Sequence, residues 1–225
     1  MTDGSLRSVA QVPEGSPDAT GALDLTRRSG AVLAHLRAAT RPAHDALEGG
    51  LGLLGERLDL DAYRRVLERF HGFCRAWEPQ VAALLQDEAL LRPRRRGHLL
   101  RADLAALGAS ADDVAGLPLC PVPLLRDAAG ALGSLYVMEG STLGGRVIQR
   151  NVTLRLGFDD RFGCSYFAGH GANTGAMWRS FLARLDEAPM AEAERIADGA
   201  CATFERLAWW LGRMADDAVP SKGQA

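Results

Sequence analysis

A histidine and a glutamate spaced one helical turn apart are the first candidates for chemistry in this sequence. His44 and Glu48 lie in a segment whose apolar positions, including Leu36 and Leu47, recur every three or four residues, which predicts an amphipathic helix. At this spacing the carboxylate could hydrogen-bond the far ring nitrogen of a metal-bound imidazole, which would fix its tautomer and raise its basicity. The pattern also allows a second interpretation, because a histidine on an apolar face is more often a core residue than a ligand.

A second stretch, residues 131–148, combines a helical pattern with several glycines and no proline. The glycines are Gly133, Gly140, Gly144 and Gly145. Glycine costs a helix interior about 1 kcal/mol relative to alanine, so Gly140 and Gly144, one turn apart, indicate that something approaches the backbone closely. Either a neighbouring helix or a flat ligand would explain them.

Ser141, which lies between these glycines, is a poor candidate for a hydrolase nucleophile or for part of a phosphate loop. The order Gly-Ser-Thr-Leu-Gly over 140–144 differs from G-x-S-x-G, and no strand pattern precedes it. A phosphate-binding loop would also need a lysine and a preceding strand, and the stretch has neither.

Three further patterns favour packing or solvation over chemistry. His71 and Cys74 have i, i+3 spacing, but no second pair of metal ligands accompanies them, which favours core packing. The four arginines between positions 92 and 96 predict a solvated surface rather than a binding patch. An apolar stripe on the last predicted helix indicates core packing, and part of the stripe could line a pocket. The stripe comprises Phe204, Leu207, Trp210, Leu211 and Met214.

The elements that would position these residues are helices. Leucine, alanine and arginine dominate, isoleucine occurs only twice, and alternation of β-branched residues is scarce, which predicts an all-α fold of roughly seven helices. Periodicity and helix-ending glycines place helices at about 31–49, 59–85, 95–107, 123–156, 174–185 and 190–215. Pro42 predicts either a kink near Ala38 or a restart of the first helix with Thr40 as its cap.

Length, charge and cysteine content limit the classes of function. The 225 residues fit one helical domain at 30–217, preceded by a leader at 1–29 that we expect to be flexible and followed by a short tail at 218–225. A net charge of −2 argues against a general electrostatic grip on nucleic acid or anionic membranes. Because the four cysteines form no CxxC pair, and neither a membrane-length apolar run nor a secretory signal pattern occurs, we expect a cytoplasmic protein with reduced thiols.

Three segments together resemble the heme oxygenase family, and more narrowly its bacterial members that serve bacteriophytochromes. Residues 36–48 (LRAATRPAHDALE) are similar to the family's proximal helix, and residues 135–148 (LYVMEGSTLGGRVI) are similar to its distal helix. A weaker match is the aromatic and glycine segment at 166–178 (YFAGHGANTGAMW). The likeness spans about residues 30–215, and the segments follow one another in the family's order.

The resemblance implies an oxidoreductase in which heme, held between a proximal and a kinked distal helix, is both cofactor and substrate. It implies that His44 is the axial iron ligand, that Glu48 orients it, and that Gly140 and Gly144 leave room for dioxygen. The expected reaction uses O2 and electrons from an external donor, such as a ferredoxin or another reductase, to open heme to biliverdin with release of CO and iron. The biliverdin would supply the chromophore of a bacteriophytochrome.

The resemblance also marks positions around the expected heme. Arg37 matches a basic residue that faces a heme propionate in the family, and Arg179 is a second candidate for such a contact because guanidinium groups bind carboxylates well. Mammalian members have an aspartate after the first distal glycine, whereas this chain has Ser141, which joins Gly140 and Gly144 in the expected catalytic set and requires a different proton network. Two rival interpretations stay open: a non-catalytic heme or bilin carrier on the same fold, and a helical interaction module without a cofactor.

Overall fold

A computed structural model describes residues 30–50, 52–121 and 125–213, without the side chains of residues 48–50. The predicted leader and tail, and the last residues of the predicted domain, lie outside the described residues. The described residues confirm the all-α prediction, since they contain α-helices and short 3-10 turns with one isolated bridge between Asp159 and Gly163. Within the same residues, no helix has both the length and the apolar character that crossing a membrane requires.

Nine α-helices follow one another along the described chain. They are α1 (Ala31–Gly50), α2 (Leu60–Leu85), α3 (Glu88–Leu91), α4 (Gly97–Ala106), α5 (Ala111–Gly116), α6 (Ala128–Leu156), α7 (Ser165–Ala168), α8 (Thr174–Asp186) and α9 (Ala193–Gly212). Short 3-10 turns at 92–94, 171–173 and 190–192 lead from one helix into the next. The long helices agree with the predicted ones to within a few residues.

The longest helix, α6, begins and ends at residues suited to those positions. The Asp127 carboxylate accepts a hydrogen bond from the Gly130 amide at 2.9 Å and so satisfies one of the amides left open at a helix start. Gly157, at φ 77°, ends the helix in the left-handed conformation, and its amide bonds to the Thr153 carbonyl. The start lies a few residues after the predicted one at 123, because a cap rather than the apolar pattern decides where the helix begins.

The predicted restart of the first helix at Thr40 is wrong. α1 is a single helix, and the buried Thr40 hydroxyl donates to the Leu36 carbonyl at 2.8 Å, which is the behaviour of a threonine inside a helix rather than at its cap. Pro42 lacks the N–H that would bond to the Ala38 carbonyl, but both residues are exposed, so water can replace the missing donor.

α6 and α9 cross with their backbones nearly touching. A Cβ atom on Gly133 would overlap the carbonyl oxygen of Ile196, and one on Gly199 would overlap the carbonyl of Gly130. α9 packs against α1 as well as α6, and α2 packs against both α6 and α9. The α6–α9 crossing therefore fixes how far apart α1 and α6 lie.

Substitution of Gly133 by alanine tests this crossing. The added methyl group has no room beside the Ile196 backbone, so we expect Gly133→Ala to lower the free energy of unfolding by about 3 kcal/mol or more. Gly212→Ala is the matched control, because no atom lies within 4 Å of its Cβ position, and we expect it to change stability by less than about 1 kcal/mol. Urea denaturation followed by circular dichroism measures both, and a Gly133→Ala protein as stable as wild type would contradict the account.

Candidate functional site

A mainly apolar cavity of about 390 Å³ lies between α1, α6 and α9, with further walls from α2, α7 and α8. α1 contributes one histidine and one arginine to its wall, and the glycine-rich part of α6 forms another wall. Residues of α6 between Tyr136 and Ile148 line the cavity. Aromatic residues from other helices line it as well, namely Phe70, Tyr166, Phe167, Trp178 and Phe204. A cavity of this composition suits a flat, largely apolar ligand with a few polar groups.

His44 presents its imidazole to this cavity. About half of its side chain is exposed (51%), and the ring packs edge-on against Phe204 of α9, with the ring centroids 5.8 Å apart. Its Nδ1 atom lies 3.7 Å from the carboxylate of Asp45, a contact that the sequence reasoning did not consider. The side chain of Glu48, the predicted orienting group, lies outside the described residues.

The four glycines of residues 131–148 divide into two pairs with different roles. Gly140 and Gly144 line the cavity: a Cβ on Gly144 would meet no atom within 4 Å, and one on Gly140 would reach only the Trp178 ring at 3.8 Å. Gly145 also borders the cavity, but a Cβ there would overlap the Phe167 carbonyl oxygen, so this position is closely packed. Both sequence explanations therefore apply, since close packing accounts for Gly133 and Gly145 and open space beside the cavity accounts for Gly140 and Gly144.

Ser141 is held by the backbone of its own helix and by an arginine from another element. Its hydroxyl donates to the Met138 carbonyl at 2.8 Å. Nη2 of Arg96 donates to the same carbonyl at 2.6 Å and lies 3.4 Å from Ser141 Oγ. The Arg96 guanidinium stacks over the Tyr166 ring, 5.0 Å from its centroid, and also lines the cavity.

Burial raises the pKa of two polar side chains beside Arg96. Desolvation raises the pKa of Tyr166 well above its ordinary value, and it raises the pKa of the Cys74 thiol, 3.8 Å from the Tyr166 hydroxyl, to about 12. Both groups are therefore neutral near pH 7. Arg96 contributes a positive charge to this wall of the cavity.

A second buried arginine supports α6 from behind the cavity wall. Nε of Arg94 lies 3.2 Å from the Glu139 carboxylate, and Nε2 of His170 lies 3.6 Å from the other oxygen of that carboxylate. Arg94 also donates to the Leu90 and Met177 carbonyls, so it joins α3, α6 and α8. The prediction that the arginines at 92–96 form a solvated surface is wrong for Arg94 and Arg96, because long-range acceptors on α6 and α8 draw both side chains inward.

The structure brings five of the seven predicted site residues together; the side chain of Glu48 is not described, and Arg179 lies apart from the other five. Arg37, His44, Gly140, Ser141 and Gly144 all line the cavity. Arg179 does not line it, because α8 turns Trp178 inward and the next residue points about 100° away around the helix, where it is exposed. The predicted contact of Arg179 with a ligand in the cavity thus lacks structural support.

The remaining sequence interpretations concern packing. His71 and Cys74 are both buried in the core, as core packing predicts. Phe204 and Leu207 of the α9 stripe line the cavity, whereas Trp210 and Leu211 belong to the core; Met214 lies outside the described residues. The stripe therefore serves both purposes that its pattern allowed.

This chain is similar to proteins described as heme oxygenases. A family model described as heme oxygenase matches residues 31–212. A heme oxygenase of Xanthomonas campestris pv. campestris (strain 8004) is 36% identical over 152 residues, which cover 65% of this chain and 87% of the relative. Heme oxygenase PigA of Pseudomonas aeruginosa (strain PAO1) is 33% identical over 153 residues, covering 61% of this chain and 71% of the relative. The family match runs from the first helix to the last one described.

Removal of the Glu139 carboxylate tests the support of α6. Glu139→Ala leaves Arg94 buried without its counter-ion, so we expect a loss of about 3 kcal/mol or more in the free energy of unfolding. Glu88→Ala removes the partner of Arg95 in an exposed ion pair and should cost less than about 1 kcal/mol. Denaturant titration distinguishes the two variants, and equal losses would argue against a special role for the buried pair.

Proposed function

The chain belongs to the heme oxygenase family, and we propose that it is an oxidoreductase that opens heme to biliverdin with release of CO and iron, using O2 and electrons from an external donor. One observation carries the proposal: His44 on α1 and the side-chain-free backbone of Gly140 and Gly144 on α6 face the same apolar cavity. A histidine on one side and bare helix on the other suit a heme with one axial protein ligand and an open second position.

The residues of the cavity fit heme in their chemistry. His44 would bind the iron, and Asp45, 3.7 Å from its Nδ1, and Glu48 are the carboxylates close enough in sequence to orient the ring. Arg37 would pair with a propionate, because it lines the cavity on the same helix while its side chain remains exposed to solvent. Phe204 and Leu207 would contact the face of the porphyrin on the His44 side.

In the proposed reaction the heme itself supplies the iron that activates dioxygen and the carbon that is oxidised. The protein contributes shape and exclusion of water. The walls around Gly140 and Gly144 leave room for a diatomic ligand, and the aromatic rings of Tyr166, Phe167 and Trp178 make much of the remaining lining apolar, which disfavours bound water.

We extend the proposal to the biological setting on the basis of the sequence resemblance. A ferredoxin or a similar reductase would deliver the electrons, the reaction would take place in the cytoplasm, and the biliverdin would serve a bacteriophytochrome. The alternative, a non-catalytic heme or bilin carrier, draws support from Ser141, whose hydroxyl proton is committed to the Met138 carbonyl. The turnover experiment below separates these two functions.

Heme titration tests the proposed iron ligand. We expect the wild-type protein to bind ferric heme with a Soret band typical of histidine ligation, and His44→Ala to lose that spectrum while keeping its helix content. His35→Ala is the matched control, because His35 lies on the same helix, pairs with Glu194 and does not line the cavity. A His44→Ala protein that retains histidine ligation would show that another residue binds the iron.

Turnover tests the proposed activity. Protein loaded with one equivalent of heme without oxygen, and then given reductant and air, should lose its Soret absorbance, gain the spectrum of biliverdin and release about one equivalent of CO. Heme that stays intact through many reducing equivalents, although bound by His44, would instead establish the carrier.

A further inference from the structure

We propose that Arg96 is the hydrogen-bond donor and counter-charge for a small ligand bound to the heme iron on the α6 side of the cavity. This inference rests on the proposed function, because it needs heme bound between α1 and α6. It assigns a binding role to a residue that lies outside both helices that would hold the heme.

The backbone of Arg96 is fixed by a carboxylate on α2. Glu78 accepts hydrogen bonds from the Arg96 amide at 3.0 Å and from the Gly97 amide at 2.9 Å, where α4 begins. These two hydrogen bonds fix the start of α4 relative to α2. From there the Arg96 side chain reaches the cavity wall formed by Met138 and Ser141.

The guanidinium of Arg96 is nearly buried, yet it has no carboxylate partner. The residue is 6% exposed, and among the described residues no acidic group lies within ion-pair distance of it. Its neighbour Arg94, equally buried, pairs with Glu139. A buried charge is costly unless it is paired, so Arg96 is suited to a negative or strongly polar ligand that completes its surroundings.

Part of the guanidinium remains available to such a ligand. Nη2 bonds to the Met138 carbonyl and approaches Ser141 Oγ. Within the part of the chain that the structure describes, Nη1 and Nε of Arg96 make no hydrogen bond. Both atoms keep some exposure, since neither is among the fully buried polar atoms that lack a partner. Because the side chain lines the cavity, these N–H groups can donate to a ligand inside it.

The hydroxyl groups beside Gly140 cannot take over this role. The Ser141 hydroxyl donates to the Met138 carbonyl, and the Thr142 hydroxyl donates to the Glu139 carbonyl at 2.7 Å. Both protons are thus committed to α6 itself. Ser141 presents a lone pair toward Arg96, so it helps to orient the guanidinium rather than the ligand.

Fluoride binding to the ferric heme complex is the experiment that isolates Arg96. Fluoride is a small anion that accepts hydrogen bonds, and its binding to heme iron is followed by absorbance without any turnover. We expect Arg96→Leu to weaken fluoride binding about tenfold or more, as loss of a charged hydrogen-bond donor predicts. Heme affinity and the His44-dependent spectrum should stay as in wild type.

Two further variants and a control keep the test decisive. Arg96→Lys retains the charge and Arg96→Gln retains a neutral donor, so fluoride affinity should fall in the order wild type, Arg96→Lys, Arg96→Gln. If Arg96→Leu does not fold, the comparison of these two variants with wild type tests the inference instead. Arg95→Leu is the matched control, because the adjacent guanidinium pairs with Glu88 at the surface, and it should bind fluoride as wild type does.

Wild-type fluoride affinity in a folded, heme-bound Arg96→Leu or Arg96→Gln protein would overturn the inference. That result would leave the proposed function intact if the wild-type protein still degrades heme. Failure of the wild-type protein to bind heme through His44 would instead overturn the proposed function, so the two failures are distinguishable.

Discussion

The close crossing of α6 and α9 is the constraint on which the rest of the structure depends. Gly133 and Gly199 allow two helix backbones to approach so closely that a methyl group would not fit between them. α9 also packs on α1 and supplies Phe204 and Leu207 to the cavity. Because α1 carries His44, the crossing sets the separation between the imidazole and the opposite wall on α6, which is the thickness available to a flat ligand.

Two buried arginines give α6 its second support. Arg94 holds the Glu139 carboxylate, and Arg96 binds the Met138 carbonyl one residue earlier, so the segment that leads into Gly140 is anchored on both sides. Buried ion pairs contribute little net stability compared with apolar packing, since desolvation offsets the Coulomb attraction. The two arginines instead fix the position of α6, because a helix segment whose glycines face a cavity makes few side-chain contacts there.

Local sequence patterns predicted the helices and part of the cavity, and the reasons are physical. Apolar periodicity and end signals act within a few residues, so α2, α6 and the all-α class could be predicted without a tertiary structure. Glycines that lie far from any turn indicate close approach, which is why Gly140 and Gly144 could be placed near a ligand or a helix. The different roles of the four glycines within residues 131–148 could not be predicted, because they depend on Ile196 and Phe167 from distant segments.

The expectations about the site that the structure does not support concern arginines, because the composition of a segment does not determine the direction of a charged side chain. A run of four arginines has the composition of a solvated surface, yet acceptors contributed by α6 and α8 draw Arg94 and Arg96 inward. Arg179 looked suitable for the cavity because of its segment, but its position one residue after an inward-facing Trp178 turns it outward. An unpaired arginine beside a cavity is a signal that only three-dimensional structure provides.

A crystal structure of the ferric heme complex tests the central claim most directly. The account predicts that His44 binds the iron, that the porphyrin lies between α1 and α6 with Gly140 and Gly144 over its open face, and that Arg96 lies on that same face. Iron bound by a different residue, or heme bound outside this cavity, would contradict it.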